Sequence, residues 1–198
     1  ALASQGYNRI PVSREVLADL DTPVSTFIKL ADKPYSYLFE SVHGGEKWGR
    51  YSIIGLPCST VLCINDHDVT LLQEDVVVES TRCDDPLAWI ETFQSRYRAP
   101  ELPDLPRFNG GLVGYFGYDT VRYIEPRLAT FNKPDLIGCP DILLMVSEEV
   151  LVFDNLAGTI RLVVNADPGL DNALELANER LRALVARLRE PMAPLSEV

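Results

Sequence analysis

Histidine is nearly missing from this 198-residue sequence: His43 and His67 are its only two, and the four cysteines, Cys58, Cys63, Cys83 and Cys139, include no Cys-x-x-Cys pair. A zinc centre draws on such residues at short, regular spacing, so no bound metal is expected. The thiols read as reduced, buried groups. Long apolar runs are missing too: stretches such as 142–146 and 150–153 fall far short of the roughly 18 residues that cross a bilayer. Positive charge is scarce, with 18 Lys and Arg against 29 Asp and Glu and a net charge of −11. That balance repels phosphate backbones and anionic lipid, so neither nucleic acid nor a membrane surface is an expected partner. The opening Ala1-Leu2-Ala3-Ser4-Gln5 has no initiator Met and none of the basic and apolar segments of a signal peptide. The expectation is a cytoplasmic protein, and a piece of something longer.

Catalytic signatures are also lacking. No Gly-x-Ser-x-Gly elbow and no His-Glu-x-x-His helix occurs, which removes support for a hydrolase triad or a metalloprotease. No catalytic residue is therefore expected in the chain. Asp141, Asp154 and the pair Glu148-Glu149 read as surface carboxylates in turns.

What is present is the composition of an ordinary globular protein, 46% hydrophobic and 24% charged, long enough for one large domain or two small interleaved ones. A first helix is expected before residue 21. Asp21-Thr22-Pro23 opens a second, with Val24, Phe27, Ile28 and Ala31 at helical spacing. Residues 35–42 and 50–54 read as a hairpin across the turn at 43–47. Strands follow at 58–64, 69–73 and 76–79, and Asp84-Asp85-Pro86 starts a helix carrying Leu87, Trp89, Ile90 and Phe93. In the second half a Gly-rich strand at 110–118 precedes a short helix through Val121 and Tyr123. Strands at 142–146, 149–153 and 159–164 read as one meander. A last helix to about Glu190 carries the stripe Leu174, Ala177, Leu181, Leu184 and Leu188. Hairpins with few helices predict an α+β fold, mainly antiparallel sheets with helices packed against them. One compact unit over residues 1–190 is expected, with 191–198 as a linker. Because that linker would follow the last helix, its stripe is expected to offer an apolar face for a further domain.

Two clusters stand out. Gly110-Gly111-Leu112-Val113-Gly114-Tyr115-Phe116-Gly117-Tyr118-Asp119 lacks both the dinucleotide spacing and the Lys-Ser or Lys-Thr of a P-loop. Its glycines read as sites of close backbone approach. Glu40-Ser41 and Trp48-Gly49-Arg50-Tyr51-Ser52 face each other across the expected hairpin. Together they offer a carboxylate for an ammonium group, and a hydroxyl and a guanidinium for a carboxylate, an inventory that suits an amino-acid ligand. The same residues also suit a solvated Glu–Arg cross-strand pair.

Taken together, Leu38-Phe39-Glu40-Ser41, Gly45-Glu46-Lys47-Trp48-Gly49-Arg50-Tyr51-Ser52-Ile53-Ile54-Gly55, the stretch Phe108-Asn109 leading into the glycine run with Arg122 and Glu125, Pro140-Asp141 and Val152-Phe153-Asp154 resemble the N-terminal domains of the anthranilate synthase component I family of chorismate-utilising enzymes. The resemblance implies a tryptophan feedback site to which Glu40, Ser41 and Arg50 contribute one wall. It also implies that the other wall, the chorismate-binding residues and the magnesium-binding carboxylates belong to a following catalytic domain. The expected partners are that C-terminal chorismate-binding domain, a glutamine amidotransferase subunit, and tryptophan as inhibitor. No cofactor is expected in this stretch itself, and the 198 residues alone are expected to be inactive. Two alternatives stay open: the same domain of the sister family, aminodeoxychorismate synthase component I, and a free-standing amino-acid-binding or subunit-docking module.

Overall fold

The computed structural model describes residues 1–40, 49–125, 127–128 and 137–191. Instead of the expected single compact unit, the chain divides into two, and they are interleaved. The first unit takes residues 1–58, 98–111 and 147 onward; the second takes 59–97 and 112–146.

The first unit is a five-stranded sheet with helices on one face. Its strands are β1 (Ile10–Leu17), β2 (Tyr37–Phe39), β3 (Tyr51–Gly55), β9 (Glu149–Asp154) and β10 (Thr159–Ala166), ordered β1-β10-β9-β3-β2 with every pair antiparallel. The register sets Leu38 opposite Ile54, Ile54 opposite Leu151, and Leu151 opposite Leu162. This row crosses four strands on one face, as the period of two requires. Helices α1 (Pro23–Leu30) and α3 (Ala173–Leu188) supply Leu30, Ala177, Leu181, Leu184 and Leu188 to the core built on it. Thr22 and Ser25 form a reciprocal capping box at the start of α1, satisfying donors that the first helical turn leaves free.

Three expectations need correcting here. The helix expected before residue 21 is mostly strand β1. Ile10, Val12 and Val16 recur with period two, and the edge position tolerates Pro11, whose missing N–H would break an interior ladder. The stripe of α3 offers no face for a further domain. Leu181, Leu184 and Leu188 are buried in the unit's own core, whereas Leu174, counted with them, is exposed. The meander at 142–164 is broken, because 142–147 pairs within the second unit and only β9 and β10 pair with each other.

The second unit holds the sheet β6-β5-β4-β8-β7, from β4 (Thr60–Asn65), β5 (Asp68–Gln73), β6 (Val76–Arg82), β7 (Gly111–Phe116) and β8 (Ile142–Ser147). Helix α2 (Pro86–Gln94), capped by Asp85 accepting the Ala88 N–H, packs Ile90 and Phe93 against Leu62, Ile64, Ile142 and Leu144. The expected meander over β4, β5 and β6 is present. Tyr118–Tyr123 forms the short helix, as a 3₁₀ turn. The glycine run behaves as read, since β7 runs so near β8 that Gly114 could carry no side chain.

The cysteines are free, as expected, but not buried: Cys58, Cys63 and Cys83 are half-buried and Cys139 is exposed. Among the described residues, no helix is long and apolar enough to cross a membrane.

Candidate functional site

Strands β2 and β3 pair as the hairpin reading requires, with Tyr37 opposite Gly55 and Phe39 opposite Ile53. Glu40 directly follows β2 and Arg50 directly precedes β3. Both therefore lie at the same end of one ladder. Ser41 and the turn at 43–47 lie outside the described residues. Glu40 is exposed.

The cross-strand Glu40–Arg50 pair does not form. Arg50 turns to Asp154 at the end of the neighbouring strand β9: Nε donates to Oδ1 at 2.9 Å and to Oδ2 at 3.0 Å, and Nη2 donates to Oδ2 at 2.5 Å. The Asp154 carboxylate also accepts the N–H groups of Leu156 and Ala157, each at 3.1 Å. Charge-assisted bonds to the ionised form favour it, so Asp154 titrates below the usual carboxylate range, with the Arg50 contact the largest cause. The same contact raises the Arg50 pKa. Asp154 is thus no idle turn carboxylate, and its side chain is only 18% exposed against 40% for Arg50.

The surroundings hold Arg50 in place. Its carbonyl accepts the Asn155 N–H at 2.8 Å, and its guanidinium lies 5.0 Å from the Tyr51 ring centre. Beyond Asp154, on the face of the sheet away from α1 and α3, a shallow groove is lined by Glu15, Tyr51, Asp104, Pro106, Asp154 and Arg161. Within it the Arg161 guanidinium already donates to the Glu15 carboxylate. The sequence marks Asp154 only as a turn carboxylate and a motif residue, because its partner lies 104 residues away and no short spacing signals the pair.

Asp141, the second carboxylate read as idle, has a structural task. Its Oδ2 accepts the Asp66 N–H at 2.7 Å and lies 3.4 Å from the Tyr123 hydroxyl, while its carbonyl accepts the Gly117 N–H at 2.7 Å. It ties the β4–β5 turn to the segment after β7. Burial is the largest cause that raises the Tyr123 pKa, with Asp141 next. Among the described residues no group of three or more His, Cys, Asp or Glu side chains could hold a metal ion.

No family model matches the chain. Curated relatives do. The chain is 62% identical over 193 residues to anthranilate synthase component 1 of Pseudomonas aeruginosa, covering 98% of this chain and 39% of the relative. It is 53% identical to the component 1 of Neisseria meningitidis serogroup B, over 99% of this chain and 40% of that one. At 37% identity it still matches the component 1 of Acetivibrio thermocellus over 92% of its length. The chain spans about two fifths of these relatives, at their N-terminal end. Anthranilate synthase component I from Streptococcus pneumoniae shares the fold, with a TM-score of 0.58 at 23% identity over 90% of this chain and 37% of that one. The resemblance and the mixed α+β fold expected from the sequence both stand.

Proposed function

Because the chain is homologous to the N-terminal part of anthranilate synthase component 1 over nearly its whole length, we propose that it serves as the regulatory and structural domain of such an enzyme. The complete enzyme would convert chorismate, with ammonia or glutamine, to anthranilate and pyruvate for tryptophan synthesis in the cytoplasm. Its remaining residues would bind chorismate and magnesium, and a glutamine amidotransferase subunit would supply ammonia. The 198 residues alone would be inactive, since the residues that bind chorismate and magnesium would lie in the rest of the enzyme. The observation that carries this reading is the 62% identity across 98% of the chain. It favours anthranilate synthesis over the sister aminodeoxychorismate activity and over a free-standing module.

Within that enzyme, Glu40, Ser41 and Arg50 would form one wall of the tryptophan feedback site. What supports this is the placement of Glu40 and Arg50 at one end of the β2–β3 ladder, with a carboxylate and a guanidinium available for the two ends of an amino acid. The test is tryptophan inhibition of chorismate turnover in the complete enzyme carrying Glu40→Ala, Ser41→Ala or Arg50→Ala. Removing a charged partner should weaken inhibition by about ten- to hundredfold, from roughly 1.5–3 kcal/mol per charge-assisted bond. Ser41→Ala should do less. Unchanged inhibition in all three variants would return the cluster to an ordinary surface hairpin.

A further inference from the structure

Arginine has five N–H donors, and Asp154 engages only those along one side of Arg50, at Nε and Nη2. The opposite edge, formed by Nη1 and the second Nη2 hydrogen, can also take a carboxylate bidentately. Asp154 cannot swing away easily. Its Oδ1 is held by the Leu156 and Ala157 N–H groups, and the Asn155 N–H holds the Arg50 carbonyl. Backbone and side chain of Arg50 are therefore both tied to the turn that closes β9.

We propose that Asp154 is a positioning residue of the amino-acid site: it fixes the Arg50 guanidinium so that the edge Asp154 leaves open meets the carboxylate of the bound ligand. This rests on the feedback reading of Arg50 and adds to it a residue that would not touch the ligand. A pinned guanidinium has little rotamer freedom left to lose when the ligand arrives, which raises affinity without a new contact. The Asp154 charge also makes the pair neutral before binding. Affinity then comes from directed bonds more than from net charge, so recognition depends on the ligand having a carboxylate.

That dependence gives the test. In the complete enzyme, calorimetry measures binding of L-tryptophan and of L-tryptophanamide, which lacks the carboxylate charge. The wild type should prefer the acid. Arg50→Ala and Asp154→Asn should each weaken tryptophan by about tenfold or more and shrink the acid-to-amide ratio, while amide binding changes little. Asp154→Glu, which keeps the charge but shifts the oxygens by one methylene, should restore part of the ratio. It also serves as the second variant where Asp154→Asn fails to fold, an intact wild-type ratio in Asp154→Glu then counting against the proposal. If Arg50→Ala shrinks the ratio and Asp154→Asn leaves it intact, the positioning role is overturned and the feedback reading survives. Equal weakening of both ligands by Asp154→Asn means a purely structural role and also overturns it. If Arg50→Ala leaves the ratio intact, the feedback reading itself fails and the proposal falls with it.

Discussion

A methyl group placed on Gly114 would stand 1.9 Å from the carbonyl oxygen of Leu143. The obstacle is backbone of the adjacent strand, which cannot rotate out of the way as a side chain would.

Gly114→Ala should therefore force β7 and β8 apart and cost at least the upper end of the usual overpacking range, about 1–3 kcal/mol. Urea denaturation would show the loss as a lower midpoint. Gly111, where a Cβ would meet nothing within 4 Å but φ is +131°, provides a contrast, since its alanine variant is strained by conformation alone. A Gly114→Ala variant as stable as wild type would contradict the close approach.

The Tyr37 hydroxyl and Ser147 Oγ lie 2.8 Å apart and buried, and burial pushes the phenol up from 10.0 to about 12. Between those values the folded state holds a proton that the unfolded chain has lost, so stability falls as pH rises. The contribution is whole below about pH 10 and gone above about pH 12, on the order of 2–3 kcal/mol in all. Thermal melts from pH 8 to 12 should show a steep alkaline limb for wild type. For Tyr37→Phe the limb should be shallower, with about 1 kcal/mol already lost at neutral pH. Parallel alkaline limbs would rule out Tyr37 as the source.

How far the sequence revealed this molecule depends on the range of the interaction. Local signals sufficed for α2, where Asp85 before Pro86 marked the start and Ile90 and Phe93 the buried face. They sufficed as well for the meander of β4, β5 and β6, whose turns are short. Short apolar runs mark 142–146 and 149–153 as strands but not which sheet each joins, so nothing local separates one meander from the observed placement of β8 and β9 in different sheets. The site was half readable for the same reason. Glu40 and Arg50 could be brought together through one hairpin, but Asp154 reaches Arg50 only because β9 takes the far edge of β3.

Thiol reactivity should rank by exposure. Cys139 is exposed, whereas Cys58 is half-buried, and its thiol is pushed up to about 11 chiefly by burial. Since the thiolate is the nucleophile, iodoacetamide at pH 8 should label Cys139 first and Cys58 well after it. Mass spectrometry of a time course would read the order. Labelling of Cys58 at the rate of Cys139 would contradict the burial.

The Arg50–Asp154 pair should leave its mark on the acid side. The folded carboxyl of Asp154 titrates below its ordinary range because Arg50 and two backbone N–H groups stabilise its charge. In acid the unfolded chain therefore binds the proton first, and stability falls as pH falls. The contribution is complete above the ordinary aspartate value of about 3.9 and drains away as pH drops through the lower folded value. Asn at this position cannot ionise, so wild type and Asp154→Asn should differ most near neutral pH and converge in strong acid. Thermal melts of both proteins between pH 2 and 7 measure the gap directly. Salt separates this pair from the many exposed charges: Asp154 is largely covered, so the gap should persist at high ionic strength, where exposed pairs are screened. A gap of constant size across the whole range would mean that Asp154 contributes through shape and hydrogen bonding alone, with no part played by its charge.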